Sequence, residues 1–148
     1  MTVIDRIIAS IATSLLGTLC FFALGCGSGN QFNFQGNWLG HRQVNAQPGA
    51  NSALLNTVSE VKLSIKDNGT FTLVDAGIPK NGDFHQDGDK GSLVITSIMN
   101  EPISQQPADV QASNVSINLT PQKNGSILLF DPKGFDSAGI TLSRVRGK

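Results

Sequence analysis

Residues 58–75 read VSEVKLSIKDNGTFTLVD, and the spacing within this stretch decides the fold. Val61, Leu63 and Ile65 alternate with Lys62, Ser64 and Lys66. After Asp67-Asn68-Gly69, Phe71 and Leu73 alternate with Thr72 and Val74. Successive side chains of an extended chain point to opposite faces, so this alternation sets one face on a core and the other in water. Asn-Gly supplies the positive φ values that tight hairpin turns need. The stretch is therefore expected to form two antiparallel strands around a tight turn.

The same grammar recurs outward in both directions. Val115, Ile117 and Leu119 alternate with Ser116, Asn118 and Thr120, and Lys123-Asn124-Gly125 leads into SILLFD at 126–131. Asp87-Gly88-Asp89-Lys90-Gly91 leads into SLVIT at 92–96. We read this likeness as shared hairpin chemistry rather than an internal repeat. Strands are expected over 34–44, 58–66, 70–75, 80–86, 92–99, 114–120, 126–131 and 138–145. Two connections, 45–56 and 100–113, are longer, with room for a helical turn at 53–56 or 108–112. A 3.6-residue period is hard to find after Cys26. Short, regularly spaced strands joined neighbour to neighbour predict an all-β fold. The expected form is a small antiparallel up-and-down barrel of about eight strands behind an N-terminal signal or anchor helix.

Residues 7–25, IIASIATSLLGTLCFFALG, form an apolar run without a charge. Such a run suits a secretory signal and is also long enough to span a bilayer. Ala23-Leu24-Gly25-Cys26 resembles the bacterial lipobox, with the small Gly25 before the cut and a thiol after it. That resemblance implies a lipid on Cys26 and removal of residues 1–25; an uncleaved anchor is the alternative. Residues 26–33 follow as a flexible tether, starting Gly27-Ser28-Gly29-Asn30, and 34–148 form the barrel domain. The implied address is the bacterial cell envelope. Gly27 is not the Asp that retains lipoproteins in the inner membrane of enteric-type bacteria, so the outer membrane is favoured where the organism has one.

Composition narrows the partners. The 148 residues carry 11 Lys+Arg and 11 Asp+Glu, a formal net charge of +0. A protein that holds nucleic acid by charge needs a clustered basic excess, so no nucleic-acid partner is expected. There is no Tyr and one Trp, which leaves little for stacking bases or sugars. Beyond the apolar run the one cysteine is Cys26, so the domain is expected to hold together by its core, without an internal disulfide.

Gly36-Asn37-Trp38 opens the first barrel strand, and Arg144 follows Ile140-Thr141-Leu142-Ser143 near the chain's end. Together with eight strands, these residues resemble the lipocalin and calycin group of up-and-down barrels. The resemblance implies that Trp38 closes the barrel floor, that Arg144 packs across it (Arg146 being the fallback), and that Gly36 lets the chain pass beneath. A cation over an indole face contributes about 0.5–2 kcal/mol according to burial.

No catalytic apparatus is legible. His41 and His85 are the only histidines, too few for a zinc site, and no nucleophile elbow, P-loop or dinucleotide fingerprint is present. Asp83, Asp87 and Asp89 read as a solvated turn rather than a calcium loop, since His85 and Val94 stand at ligand positions. No enzyme activity, metal or cofactor is expected. Two functions are carried forward for a membrane-anchored envelope lipoprotein. In one, a small apolar ligand sits between strands, lined by Val61, Leu63, Phe71, Leu73, Ile95, Ile117 and Ile127. In the other, a filled barrel of structural or envelope-inhibitor type meets another envelope protein. A hollow interior of roughly 300 Å3 or more would favour the first, and a filled one the second.

Overall fold

A computed structural model describes residues 31–44, 49, 51–113, 116–134, 136 and 138–146. The expected signal or anchor helix, Cys26 and the start of the tether lie outside the described residues. Among the described residues nine strands are formed: β1 Gly36–His41, β2 Glu60–Ile65, β3 Thr70–Asp75, β4 Ile78–Asp87, β5 Lys90–Ile98, β6 Glu101–Pro102, β7 Ile117–Pro121, β8 Ile127–Phe130 and β9 Ile140–Arg144. Helix α1 spans Ser52–Ser59 and α2 spans Ala108–Ser113. The sheet runs β4-β3-β2-β1-β9-β8-β7-β5-β6, and a further β4–β5 pairing closes it. Eight strands thus make an antiparallel barrel, with the two-residue β6 added to β5 where β7 ends. Closure gives each long strand two neighbours and removes the exposed edges of an open sheet.

The core is the inward half of the alternation. Trp38, Leu63 and Leu73 stand side by side across β1, β2 and β3, as do Ile65 and Phe71 across β2 and β3. Fifteen apolar side chains, from Phe34 to Leu142, are buried in one cluster. On β4 the inward position at the barrel's waist is Gly82. A Cβ there would come 1.9 Å from the Val94 carbonyl oxygen, at the point where the β4–β5 register slips. The slip is a bulge that lets β4 bend around the barrel.

Turns differ from expectation in an instructive way. At 66–70 and 122–126 only the glycines, Gly69 and Gly125, take positive φ, both +78°. The asparagines act through their side chains instead. Asn68 Oδ1 accepts from Thr70 N at 3.1 Å and Thr70 Oγ1 at 2.7 Å, and Asn124 Oδ1 accepts from Ser126 N at 3.1 Å and Ser126 Oγ at 2.6 Å. These are three-residue hairpin loops with a left-handed glycine after the turn. Two-residue turns with both central residues at positive φ lie elsewhere, at Ala76 (+52°) and Gly77 (+82°) between β3 and β4 and at Met99 (+53°) and Asn100 (+66°) between β5 and β6. An L-alanine in that conformation costs about 1–2 kcal/mol, a cost that Asn partly avoids. Ala76→Asn is therefore expected to raise stability by about 0.5–1 kcal/mol in chemical denaturation. An unchanged or lower midpoint would show that the turn gains nothing from the exchange.

Most strand boundaries shift by a few residues, as β1 does from the expected 34–44 to Gly36–His41, and three shifts have a structural reason or limit. The expected strand 58–66 loses its first two residues to α1, which is longer than the single turn expected at 53–56. Its N-terminus is capped by Asn51, whose side chain accepts from Ala53 N at 2.9 Å and Leu54 N at 3.4 Å. Residues 32 and 33, read as tether from their polar neighbours, belong to the barrel. Phe32 packs on the core, and its carbonyl accepts from Gln86 Nε2 at 2.9 Å. Of the strand expected at 114–120, residues 114 and 115 lie outside the described residues, and the strand itself begins at Ile117.

Candidate functional site

The barrel's two ends carry the polar chemistry, and strand direction assigns each residue to one of them. β1 and β9 pair with Trp38 opposite Arg144, so the residue that opens the barrel and the one that ends it share a face. Trp38 is 1% exposed and donates from Nε1 to the Phe34 carbonyl at 2.8 Å. Arg144 Cζ lies 4.4 Å from the indole centroid. Its guanidinium donates to the Gln35 carbonyl at 2.6 Å and to the Asn33 carbonyl. Gly36, at φ +116°, runs so close that a Cβ would lie 3.0 Å from Arg144 Nη1. Phe32 stacks near Trp38 with centroids 6.1 Å apart, and Phe34 meets Phe84 at 5.5 Å. This end is therefore sealed by aromatic rings under a guanidinium that ties down the entering chain. Arg144, not Arg146, takes that place.

The opposite end, the mouth, is closed by charges. Following the inward alternation one step past the apolar residues gives Arg42 after Trp38 and Gly40, Asp75 after Phe71 and Leu73, and Asp131 after Ile127 and Leu129. On β4, Lys80 stands opposite Leu73. Arg42 pairs with Asp75, and its Nε lies 3.1 Å from Asp136 Oδ2. Lys80 Nζ lies 3.5 Å from Asp75 and 4.0 Å from Asp131. The Arg42 side chain is 9% exposed, and its Nε makes no well-aligned hydrogen bond. It borders a cavity of about 10 Å3, walled by Asp75, Asp131 and Asp136 and floored by Leu73, Ile117, Leu129 and Ile140. That volume is about one water molecule.

The seven side chains expected around a ligand, Val61, Leu63, Phe71, Leu73, Ile95, Ile117 and Ile127, all lie in the buried cluster and pack on one another. Two of them, Leu73 and Ile117, reach the small cavity under the ion pairs. His41 and His85 are both exposed, one at the mouth end of β1 and the other toward the floor end of β4. Asp83, Asp87 and Asp89 are exposed along β4 and its turn to β5, where Gly88 has φ +56°. Among the described residues, no three His, Cys, Asp or Glu side chains gather as metal ligands would.

The mouth charges were missed by a sequence reading that stopped at the last apolar residue of each strand. Their signal is the period itself: an inward position occupied by a charge at a strand's end asks for an opposite charge on a neighbour. No protein-family model, curated protein or solved structure matches this chain.

Proposed function

We propose that this chain is a membrane-anchored, non-catalytic envelope lipoprotein with a lipocalin-like barrel filled by its own side chains, which acts by contact with another envelope protein. The buried cluster carries this reading: among the described residues fifteen apolar side chains fill the inward positions, and the concavity at the mouth measures about 10 Å3 where an apolar ligand would need roughly 300 Å3. The charged residues turned inward at the mouth, Arg42, Lys80, Asp75, Asp131 and Asp136, are spent on one another, and the two histidines stand apart on the surface. Cys26, after Ala23-Leu24-Gly25, supplies the anchor in this reading. Each buried CH2 of a lipid contributes about 0.8 kcal/mol, and two or more chains hold a domain at a membrane.

One experiment tests both halves. Protein purified from host membranes in mild detergent is measured by intact and native mass spectrometry. The expected mass is that of a chain beginning at Cys26 with acyl groups on that residue and no other adduct, and Cys26→Ser is expected to lose the acyl mass. A stoichiometric non-covalent small molecule would overturn the filled barrel. An unchanged mass in Cys26→Ser, beyond the substitution itself, would overturn the anchor.

A further inference from the structure

Residues 31–35, a strap ahead of β1, form no strand, yet four consecutive carbonyls in it each have a donor. That of Phe32 accepts from Gln86 Nε2 at 2.9 Å and that of Phe34 from Trp38 Nε1 at 2.8 Å, while those of Asn33 and Gln35 accept from the two Nη atoms of Arg144. Exposed chain outside a sheet ordinarily leaves such groups to water. These four are claimed by side chains of β4, β1 and β9, which fasten the strap to three strands. The rings of Phe32 and Phe34 add packing, with centroids 4.9 Å apart and both against the core.

The strap therefore fixes where the chain leaves the barrel, and that place is the floor. The β2–β3, β4–β5 and β7–β8 turns stand at the same end, since Gly36 pairs with Ile65, Asp87 with Lys90 and Pro121 with Ile127. Helix α1 stands at the other end, because it joins His41 to Glu60, which pair with each other at the mouth. Helix α2 follows β5 and β6 at the mouth as well. Charge gives the floor no strong preference for a surface. Among the described residues, five Lys and Arg side chains near the floor, from Lys66 to Arg146, stand with four Asp side chains, from Asp67 to Asp89.

Chain length then sets the reach. Phe32 is the sixth residue after Cys26. Whatever path they take, six residues span at most about 20 Å. Without the strap the chain would be free up to Gly36, the tenth residue, and its reach would be about 35 Å. Six-residue strands such as β1 rise about 15 Å along a barrel axis at the usual tilt, and a helix is about 10 Å thick. A barrel standing mouth-down on α1 would thus lift Phe32 about 25 Å from the surface. The longer leash permits that arrangement and the shorter one does not.

We propose that the strap orients the barrel on its membrane, with the floor and its three turns toward the lipid headgroups and the mouth, with α1 and α2, presented to the envelope partner. Gln86, Trp38 and Arg144 do this by holding the strap to the floor, which shortens the free leash. The proposal rests on the lipid-anchor reading and names the end of the barrel that a partner can reach.

The test uses the acylated chain from host membranes, added to preformed phosphatidylcholine vesicles that contain an acceptor-labelled lipid. A donor dye is attached through Lys123→Cys in the floor turn or through Leu54→Cys on α1, both at exposed positions. Energy transfer to the bilayer is expected to be about twofold or more stronger from position 123 than from position 54, as a leash of about 20 Å requires. Inserting a Gly/Ser segment of about ten residues after Gly29 leaves the barrel untouched and should bring the two efficiencies together. Phe32→Ser with Arg144→Gln should narrow the difference in the same way, with circular dichroism checking that the barrel is kept. Salt at about 1 M, where the Debye length is about 3 Å, should leave the difference in place. Equal transfer from both positions, stronger transfer from position 54, or a difference that survives the insertion would overturn the proposal. So would a difference that salt abolishes, because charge would then be the orienting force. Any of these results on a chain with acyl mass on Cys26 leaves the anchor reading standing, whereas a chain without that mass removes both.

Discussion

Trp38→Ala is expected to lower stability by about 3–5 kcal/mol, the range for removing a fully buried aromatic side chain. The indole is enclosed by Phe32 and Phe34, and its Nε1 is satisfied by the Phe34 carbonyl. Alanine would leave a cavity at the floor and strip the apolar support from under Arg144, whose guanidinium holds the carbonyls of residues 33 and 35. A change of that size is a large share of the 5–15 kcal/mol typical of a domain. Denaturant unfolding followed by far-ultraviolet circular dichroism measures it, because the variant has no tryptophan left to fluoresce. The parent protein should emit well to the blue of free indole. A loss below about 1 kcal/mol, or parent emission like that of indole in water, would contradict the enclosure.

The second large effect is expected at the mouth. Arg42→Ala should cost about 2–4 kcal/mol, somewhat less than the 3–5 kcal/mol typical of breaking a fully buried ion pair. The discount reflects solvent at Asp75 and Asp136, which are 18% and 27% exposed against 9% for Arg42. Removing the guanidinium leaves Asp75 with Lys80, and Asp136 with no cation among the described residues. Adding Asp75→Asn should therefore cost less in the Arg42→Ala background than in the parent. A double-mutant cycle measures that coupling, expected at about 1 kcal/mol or more. Strict additivity would mean that the pair does no more than occupy space.

Much of the barrel was legible because its strands obey one rule. Val61-Lys62-Leu63-Ser64-Ile65 and Ile117-Asn118-Leu119 show alternation without interruption, and they form β2 and β7 as expected. The β3–β4 turn was not legible as a tight turn, because Ala76 carries no turn preference and only Gly77 marks it. Helix α1 was obscured by Val58 and Ser59, which fit a strand pattern equally well until Asn51 is recognised as a cap. Gly82 gave no warning that it faces the interior, since an inward glycine breaks the apolar alternation that β4 would otherwise display. At the floor, Gly36, Trp38 and Arg144 could be named from sequence because a resemblance pointed to them. The charges at the mouth had no motif behind them and required knowing which strands are neighbours.

Closure of the sheet through β1 and β9 has a kinetic meaning. Most of the pairings join strands adjacent in the chain and can form as soon as both partners exist. The seam between Trp38 and Arg144 joins residues more than a hundred positions apart, and its loop-closure entropy must be met before any contact rewards it. As the chain is synthesised, β1 can pair with β2 early, yet its other edge waits for the last strand to emerge. Until then the indole of Trp38 and the apolar faces of a curling, unclosed sheet remain open to wrong partners. The floor is thus the end that waits for the last strand to emerge. A lesion in β9 would leave every earlier hairpin able to form and still deny the protein its final shape.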